Sequence, residues 1–259
     1  MSVHITVAWT IFGLAITGTA TNAPSVETRL GKIVGTTKEV DVFGKKMTVD
    51  KYHGIPYAEP PVGDLRFKKP VPKESLPSPF QATKHGSICY QINLFPGLDN
   101  LTRSEDCLFL NIYAPSKRKE PLAVMVWIHG GGFMCGASDL SISDTLASYG
   151  DVIIVTVNYR LTVWGFLSTG DANAPGNIGF WDQHLAIKWV HDNIQAFGGD
   201  PNRVTIFGES AGGMSVTYQS LYSGNKDLFQ RVIAQSGTLW ATAAKDTMKD
   251  AKRLGELVG

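Results

Sequence analysis

Residues 204–213, VTIFGESAGG, indicate both how the chain folds and where its chemistry lies. The run 204–207 is short, apolar and rich in β-branched residues, which is typical of a buried strand. A helical pattern over 210–222 follows it directly. Residues 208–212 match G-x-S-x-G, the strand-to-helix turn that presents a serine nucleophile. The stretch therefore predicts an α/β unit with Ser210 at its turn.

The glycines beside Ser210 fit such a turn. A tight strand-to-helix turn brings neighbouring backbone close to the serine, and residues without a side chain relieve the crowding. The helix that begins behind the serine offers free N–H groups and the positive end of its dipole. An ordinary glycine-rich turn is the alternative interpretation of the motif taken alone, because G-x-S-x-G also arises by chance.

A second motif, HGGGF at residues 129–133, comes directly after an apolar run and favours acyl-transfer chemistry. Acyl transfer creates a tetrahedral oxyanion, which needs preorganised N–H donors about 3 Å away. Glycines can turn their amides toward that oxygen without side chains in the way, so the predicted donors are Gly131, Gly132 and Ala211. A phosphate cradle is the competing use of such glycines, but no Lys-Ser or Lys-Thr pair comes after them.

The rest of the chain predicts an α/β fold with a mostly parallel central sheet and helices on both faces. We expect a hairpin between residues 31–35 and 46–49. Further strands are expected at 108–113, 123–129, 152–159, 204–208 and 231–235, and helices at 177–197, 210–222 and 241–258. Apolar strands alternating with amphipathic helices are the basis of this prediction.

Composition excludes some classes of function. The chain has 24 basic and 23 acidic residues and a net charge of +1. It shows neither the basic stripe of a nucleic-acid-binding protein nor a polybasic membrane patch, and a small ligand that is neutral or of mixed charge fits this balance better.

The first 23 residues predict a signal peptide. An apolar run from Val7 to Ile16 precedes small polar residues, with possible cleavage after Ala20 or Ala23. A disordered or partly buried N-terminus is the alternative. No other apolar run approaches the length that spans a bilayer. We expect residues 24–259 to form the N-terminal part of one domain in a secreted or extracellular protein, with the lumen of the endoplasmic reticulum as another possible location.

Three cysteines, at 89, 107 and 135, suggest one disulfide and one unpaired thiol in an exported protein. Asn100 begins an Asn-Leu-Thr glycosylation sequon in a polar stretch between the first two cysteines. That stretch is predicted to be a surface loop.

Six motifs together resemble the type-B carboxylesterase and cholinesterase family of the α/β-hydrolase superfamily. They are HGGGF (129–133), NYR (158–160), FGGDP (197–201), GESAGG (208–213), SEDCLFLNI (104–112) and GIPYAEPPVGDLRF (54–67). The resemblance covers about residues 25 to 240. It implies hydrolysis of a small-molecule carboxylic ester by a Ser-Glu-His triad and an acyl-enzyme, with Ser210 as nucleophile and no metal or cofactor. It also implies a place for Glu209 at the floor of the active-site gorge.

The same resemblance implies structural contacts elsewhere. These are a Cys89–Cys107 disulfide and the ion pairs Arg66–Glu105 and Arg160–Asp182. Choline-binding members carry a tryptophan in the loop between the first two cysteines, where its ring holds a quaternary ammonium. Residues 90–106 contain none, so a generalist esterase is expected.

The triad order raises a second departure. In α/β-hydrolases the acid and then the histidine come after the serine, yet all six histidines here precede Ser210. We therefore expect a partial sequence or truncated product, inactive by itself and lacking the C-terminal strands. A non-catalytic, neuroligin-like adhesion or ligand-sequestering relative is the alternative. The sequence does not indicate the natural ester or the oligomeric state.

Overall fold

A computed structural model describes residues 23–94, 97–119, 121–138, 143–238 and 247–258. Within them the strands are β1 (Ser25–Thr28), β2 (Gly31–Val34), β3 (Thr36–Val42), β4 (Lys45–Pro56), β5 (Phe80–Gln81), β6 (Ile88–Cys89), β7 (Arg103–Ser104), β8 (Phe109–Pro115), β9 (Leu122–Ile128), β10 (Ile153–Val157), β11 (Gly199–Glu209) and β12 (Arg231–Gln235). The α-helices are α1 (Ser143–Gly150), α2 (Thr162–Phe166), α3 (Ile178–Asn193), α4 (Ala211–Leu221) and α5 (Thr247–Val258). The predicted signal peptide lies outside the described residues except for Ala23.

A mixed sheet of seven strands forms the centre of the described structure, in the order β12-β11-β9-β10-β8-β4-β3. The strands β12, β11, β9 and β10 are mutually parallel. The strands β8, β4 and β3 continue the sheet in antiparallel fashion. The parallel part agrees with the sequence-based prediction, and the N-terminal region supplies the antiparallel extension.

Helices cover both faces of this sheet. Ile153, Val155 and Val157 of β10 pack into the main core together with residues of α3 and α4, such as Trp189 and Val216. Their neighbour Ile154 points the other way and packs with Tyr113 of β8 and Ala147 of α1. Because successive side chains of a strand alternate between faces, one apolar strand is buried from both sides.

The predicted hairpin between residues 31–35 and 46–49 is wrong. Strand β2 pairs with β1, and β4 pairs with β3, so two hairpins replace the expected one. The β3–β4 turn contains Phe43 (φ 53°) and Gly44 (φ 80°), and the Gly44 N–H donates to Asp41 Oδ1 at 2.8 Å. This Asp-x-x-Gly turn is a local hairpin signal that outweighs a pairing over longer separation.

The other predicted elements agree with the structure to within a few residues. The helix expected at 177–197 is α3 continued by a 3₁₀ turn, Ile194–Phe197. Strand β12 has the predicted bounds, whereas β11 begins five residues earlier than expected. The last helix is described from residue 247, and its predicted start at 241 lies outside the described residues. The sequence patterns did not predict helices α1 and α2.

The edge of the sheet at β12 is open to solvent. Strand β12 is the last strand of the described sheet, and all five of its residues are exposed. Among the described residues, no helix combines the length and apolar character needed to cross a bilayer.

Candidate active site

Ser210 occupies the turn between β11 and α4 in a conformation that L-residues rarely adopt. Its backbone has φ 54° and ψ −120°. Its N–H donates to the carbonyl oxygen of Gln235, at the end of β12, at 2.8 Å. Strained backbone of this kind persists only where the surrounding structure enforces it, and it concentrates at functional sites.

The flanking glycines are required by close backbone packing. A Cβ atom added to Gly208 would lie 2.5 Å from the Gly212 carbonyl carbon. One added to Gly212 would lie 2.0 Å from the carbonyl oxygen of Ile128, the last residue of β9. The turn therefore lies directly against the neighbouring strand, as the crowding argument predicts.

The glycine loop, residues 129–136, leaves β9 beside this turn. Strands β9 and β11 are in register, with Ile128 opposite Gly208, so both chains leave the sheet at the same edge. A Cβ built on Gly130 would lie 3.2 Å from the Ser210 Cβ and 3.1 Å from Glu209 Oε2. The structure thus brings the two sequence motifs together at one place.

Hydrogen bonds fix the direction of the peptide that joins Gly131 to Gly132. The Gly131 carbonyl accepts from the N–H groups of Met134 at 3.0 Å and Cys135 at 3.1 Å. It also accepts from the Cys135 thiol at 3.3 Å. In a trans peptide the N–H points opposite to the carbonyl, so the Gly132 N–H points out of this turn. The sequence patterns indicated Cys135 only as an unpaired thiol and missed this contact.

His129 fixes the preceding peptide in the same way. Its Nδ1 lies 2.9 Å from the Gly130 carbonyl oxygen, and since a carbonyl only accepts, Nδ1 carries the proton. The ring stacks on Tyr159 at 4.4 Å, and the Tyr159 hydroxyl donates to the His129 carbonyl at 2.9 Å. Burial lowers the pKa of His129 to about 4. His129 is therefore neutral at pH 7 and serves the loop rather than the serine.

The three predicted N–H donors keep their hydrogens unshared with the residues that the structure describes. Within the described part of the chain, no acceptor takes the N–H of Gly131, Gly132 or Ala211. Gly131 (φ 103°) and Gly132 (φ 63°) adopt positive φ, which glycine accommodates without strain. Ala211 is the first residue of α4, where an N–H has no partner inside the helix.

No described side chain forms a hydrogen bond to the Ser210 hydroxyl. The described histidines contact other groups. His184 Nδ1 lies 2.7 Å from Asn225 Oδ1, and His191 Nδ1 lies 3.3 Å from Asp192 Oδ1. The ring centroids of His53 and His85 lie 3.8 Å apart, with the rings tilted by 31°. The described residues also contain no group of three or more His, Cys, Asp or Glu side chains that could hold a metal ion. Among the described residues, none of these histidines forms a hydrogen bond to the Ser210 hydroxyl.

The structural contacts implied by the resemblance are present. Cys89 and Cys107 form a disulfide with an S–S distance of 2.05 Å. The guanidinium groups pair bidentately with their carboxylates in both predicted ion pairs: Arg66–Glu105 at 2.6 and 2.7 Å, and the buried Arg160–Asp182 at 2.8 and 2.7 Å.

Three other predicted residues lie near the site or on the disulfide loop. Cys135 is a buried free thiol, as expected. Asn100 is exposed in a turn of the disulfide loop. Glu209 is exposed at the end of β11, beside the glycine loop.

Known proteins are similar in sequence to most of this chain. The profile of the carboxylesterase family matches residues 22–259. An acetylcholinesterase of Danio rerio is 45% identical, over 90% of this chain and 39% of its own. A carboxylesterase 5A of Mus musculus is 42% identical, over 96% of this chain and 44% of its own. A juvenile hormone esterase of Tribolium castaneum is 47% identical, over 84% of this chain and 37% of its own.

The chain belongs to the carboxylesterase family. Its fold is accordingly that of an α/β-hydrolase, as the motifs implied. The chain spans less than half the length of each of these curated relatives. Within this carboxylesterase-family chain, the candidate active site consists of the turn at Ser210 and the glycine loop.

Proposed function

We propose that the protein is a carboxylic ester hydrolase that acts through Ser210 and an acyl-enzyme on small-molecule esters. The observation that carries the proposal is the close approach of Gly130, in the glycine loop, to Ser210, whose backbone is strained. Family membership and the esterase names of the relatives support the reaction class.

The proposed chemistry has two steps. The Ser210 Oγ attacks the ester carbonyl carbon, its proton passes to a general base, and the carbonyl oxygen becomes an oxyanion. The amides of Gly131, Gly132 and Ala211 donate to that oxygen, each contributing about 3 kcal/mol to the transition state. Collapse expels the alcohol, which takes the proton. Water then attacks the acyl-serine, and the acid leaves as Ser210 regains its proton.

The base and its carboxylate partner are proposed to come from outside residues 1–259. Support comes from two facts: the described residues give the Ser210 hydroxyl no hydrogen-bond partner, and the relatives are more than twice as long as the matched segments. The order serine, acid, histidine found in α/β-hydrolases agrees with this arrangement.

Three further roles are proposed with it. Glu209 borders the floor of the substrate gorge, supported by its carboxylate lying beside Gly130. Asn100 carries a glycan, supported by its exposure. Residues 1–23 direct export, supported by the disulfide, since disulfides persist in oxidising compartments.

Alanine substitution in the full-length protein tests the nucleophile. We expect Ser210→Ala to abolish hydrolysis of phenyl and naphthyl esters while the melting temperature stays within a few degrees of the parent protein. Ser220→Ala, at an exposed serine of the helix α4 that follows Ser210, is the matched control and should hydrolyse normally. Near-normal turnover by Ser210→Ala would refute the nucleophile. An inactive parent protein would favour a non-catalytic role.

A further inference from the structure

Both polar atoms of the Gln91 side-chain amide form hydrogen bonds to Gly136, the last residue of the glycine loop. Its Oε1 accepts from the Gly136 N–H at 2.8 Å, and its Nε2 donates to the Gly136 carbonyl at 2.9 Å. The same Nε2 lies 3.1 Å from the carbonyl of Cys89. One residue further on, the Ile92 N–H donates to the Met134 carbonyl at 3.1 Å. The segment 89–92 is therefore tied to residues 134–136 by both side-chain and backbone bonds.

Gly136 connects these hydrogen bonds with the start of the glycine loop, because it packs against His129 and Gly130. A Cβ added to Gly136 would lie 2.2 Å from His129 Nδ1 and 2.6 Å from the Gly130 carbonyl oxygen. Gly136 therefore packs against the very hydrogen bond that orients the peptide between Gly130 and Gly131. A shift of Gly136 would disturb that bond, and with it the direction of the Gly131 N–H.

Gln91 itself is held in position by the surrounding fold. Gln91 lies two residues after Cys89, which is buried in β6. Strand β6 pairs with β7, and the disulfide joins Cys89 to Cys107, two residues before β8 of the central sheet begins. Gln91 is thus held on a covalently closed loop and not on free surface chain.

We infer that Gln91 is a positioning residue for the two N–H donors of the glycine loop. It touches neither Ser210 nor a substrate, and it acts through Gly136 and His129. The inference rests on the proposed ester hydrolysis for its kinetic consequence, although the hydrogen-bond network itself does not depend on that function.

The test is Gln91→Met in the full-length protein, which keeps the side-chain length and removes both amide atoms. Turnover is divided by the concentration of active sites, titrated with an organophosphate, so that a smaller amount of folded protein does not lower the measured kcat. Misplacement of a catalytic group by about 1 Å costs about a hundredfold, and since backbone bonds still hold part of the loop we expect kcat to fall about tenfold with KM within about twofold. Asp99→Ala, at an exposed residue of the same disulfide loop, is the control and should match the parent protein.

Amide hydrogen exchange gives a second measurement that needs no turnover. In Gln91→Met we expect the amides of Cys135 and Gly136 to exchange about tenfold faster, while those of β9 and β10 are unchanged. Parent-like kcat together with parent-like exchange would overturn the inference, as would a kcat loss shared by Asp99→Ala. If the parent protein hydrolyses no ester, the proposed function fails, and the exchange rates alone decide whether Gln91 holds the loop.

Discussion

Gly130 lies beside Ser210, so close that a Cβ added to the glycine would lie only 3.2 Å from the serine Cβ. The same added atom would lie 2.5 Å from the Glu209 carbonyl oxygen, so the backbone of one segment or the other would have to shift. The geometry of the site therefore depends on the absence of a side chain at residue 130. The first prediction follows from this close approach of Gly130 to Ser210.

In the full-length protein, Gly130→Ala should lower kcat about a hundredfold, because the glycine loop must shift by about 1 Å from Ser210. Gly150→Ala, at the end of α1, is the control: its added Cβ has no neighbour closer than 3.4 Å. The measurement is kcat for ester hydrolysis by both variants and by the parent protein. Parent-like kcat in Gly130→Ala would show that the loop does not supply the donors.

The second prediction concerns pH. Burial lowers the pKa of His129 to about 4, below its ordinary value, so the unfolded chain binds a proton that the folded chain excludes. The stability that His129 contributes is therefore fully present above about pH 6.5 and is lost as the pH falls toward 4. The loss amounts to about 3 kcal/mol at pH 4.

Urea unfolding at pH 7 and at pH 4.5 measures this contribution. His129→Asn retains a donor for the Gly130 carbonyl but does not titrate, so its free energy of unfolding should fall less between the two pH values than that of the parent protein. An identical fall in both proteins would show that His129 is protonated in the folded state.

The third prediction concerns the disulfide. Cys89 and Cys107 are separated by 18 residues, and closing a loop of this size stabilises a protein by about 3 kcal/mol in the chain-entropy model. The double variant Cys89→Ser/Cys107→Ser should lose about this much free energy of unfolding. Mass spectrometry without reduction should find one bridge, between these two residues, in the parent protein. A bridge that includes Cys135 would contradict the structure.

The fourth prediction is that residues 24–259, expressed alone, have negligible esterase activity and aggregate. Losing the base of a serine hydrolase costs about 10⁶ in turnover. Exposed Val232 and Ile233 on the unpaired edge of β12 offer a template for another chain. Turnover assays and size-exclusion chromatography test both parts. A monomer that hydrolyses esters at ordinary rates would place a base among residues 24–259.

Local patterns predicted the parts of this structure that depend on local physics. The apolar runs indicated β9 and β10, in which no residue is exposed, because strands covered on both faces need continuous apolar sequence. The glycines around Ser210 indicated the turn, since backbone crowding there excludes side chains. The pairing of β2 and β4 was wrong because hydrophobic pattern does not specify strand partners, and the turn after Asp41 decides the partner of β4.

Contacts across long sequence separation were beyond the sequence patterns. Gln91 and Gly136 lie 45 residues apart, and neither has a composition that indicates the other. The bond between the Cys135 thiol and the Gly131 carbonyl spans only four residues. It needs the positive φ of Gly131, however, and the sequence patterns do not specify that angle.

The detection of an acyl group on Ser210 tests the proposed nucleophile most directly. The full-length protein is mixed with excess p-nitrophenyl acetate, quenched in acid within the first turnovers, and digested with trypsin for mass spectrometry. We predict an acetyl group on Ser210 within the peptide of residues 204–226, absent from Ser210→Ala. Hydrolysis of the ester with the acetyl group on another residue, or with no acyl-enzyme in the burst phase, would contradict a role for Ser210 as nucleophile.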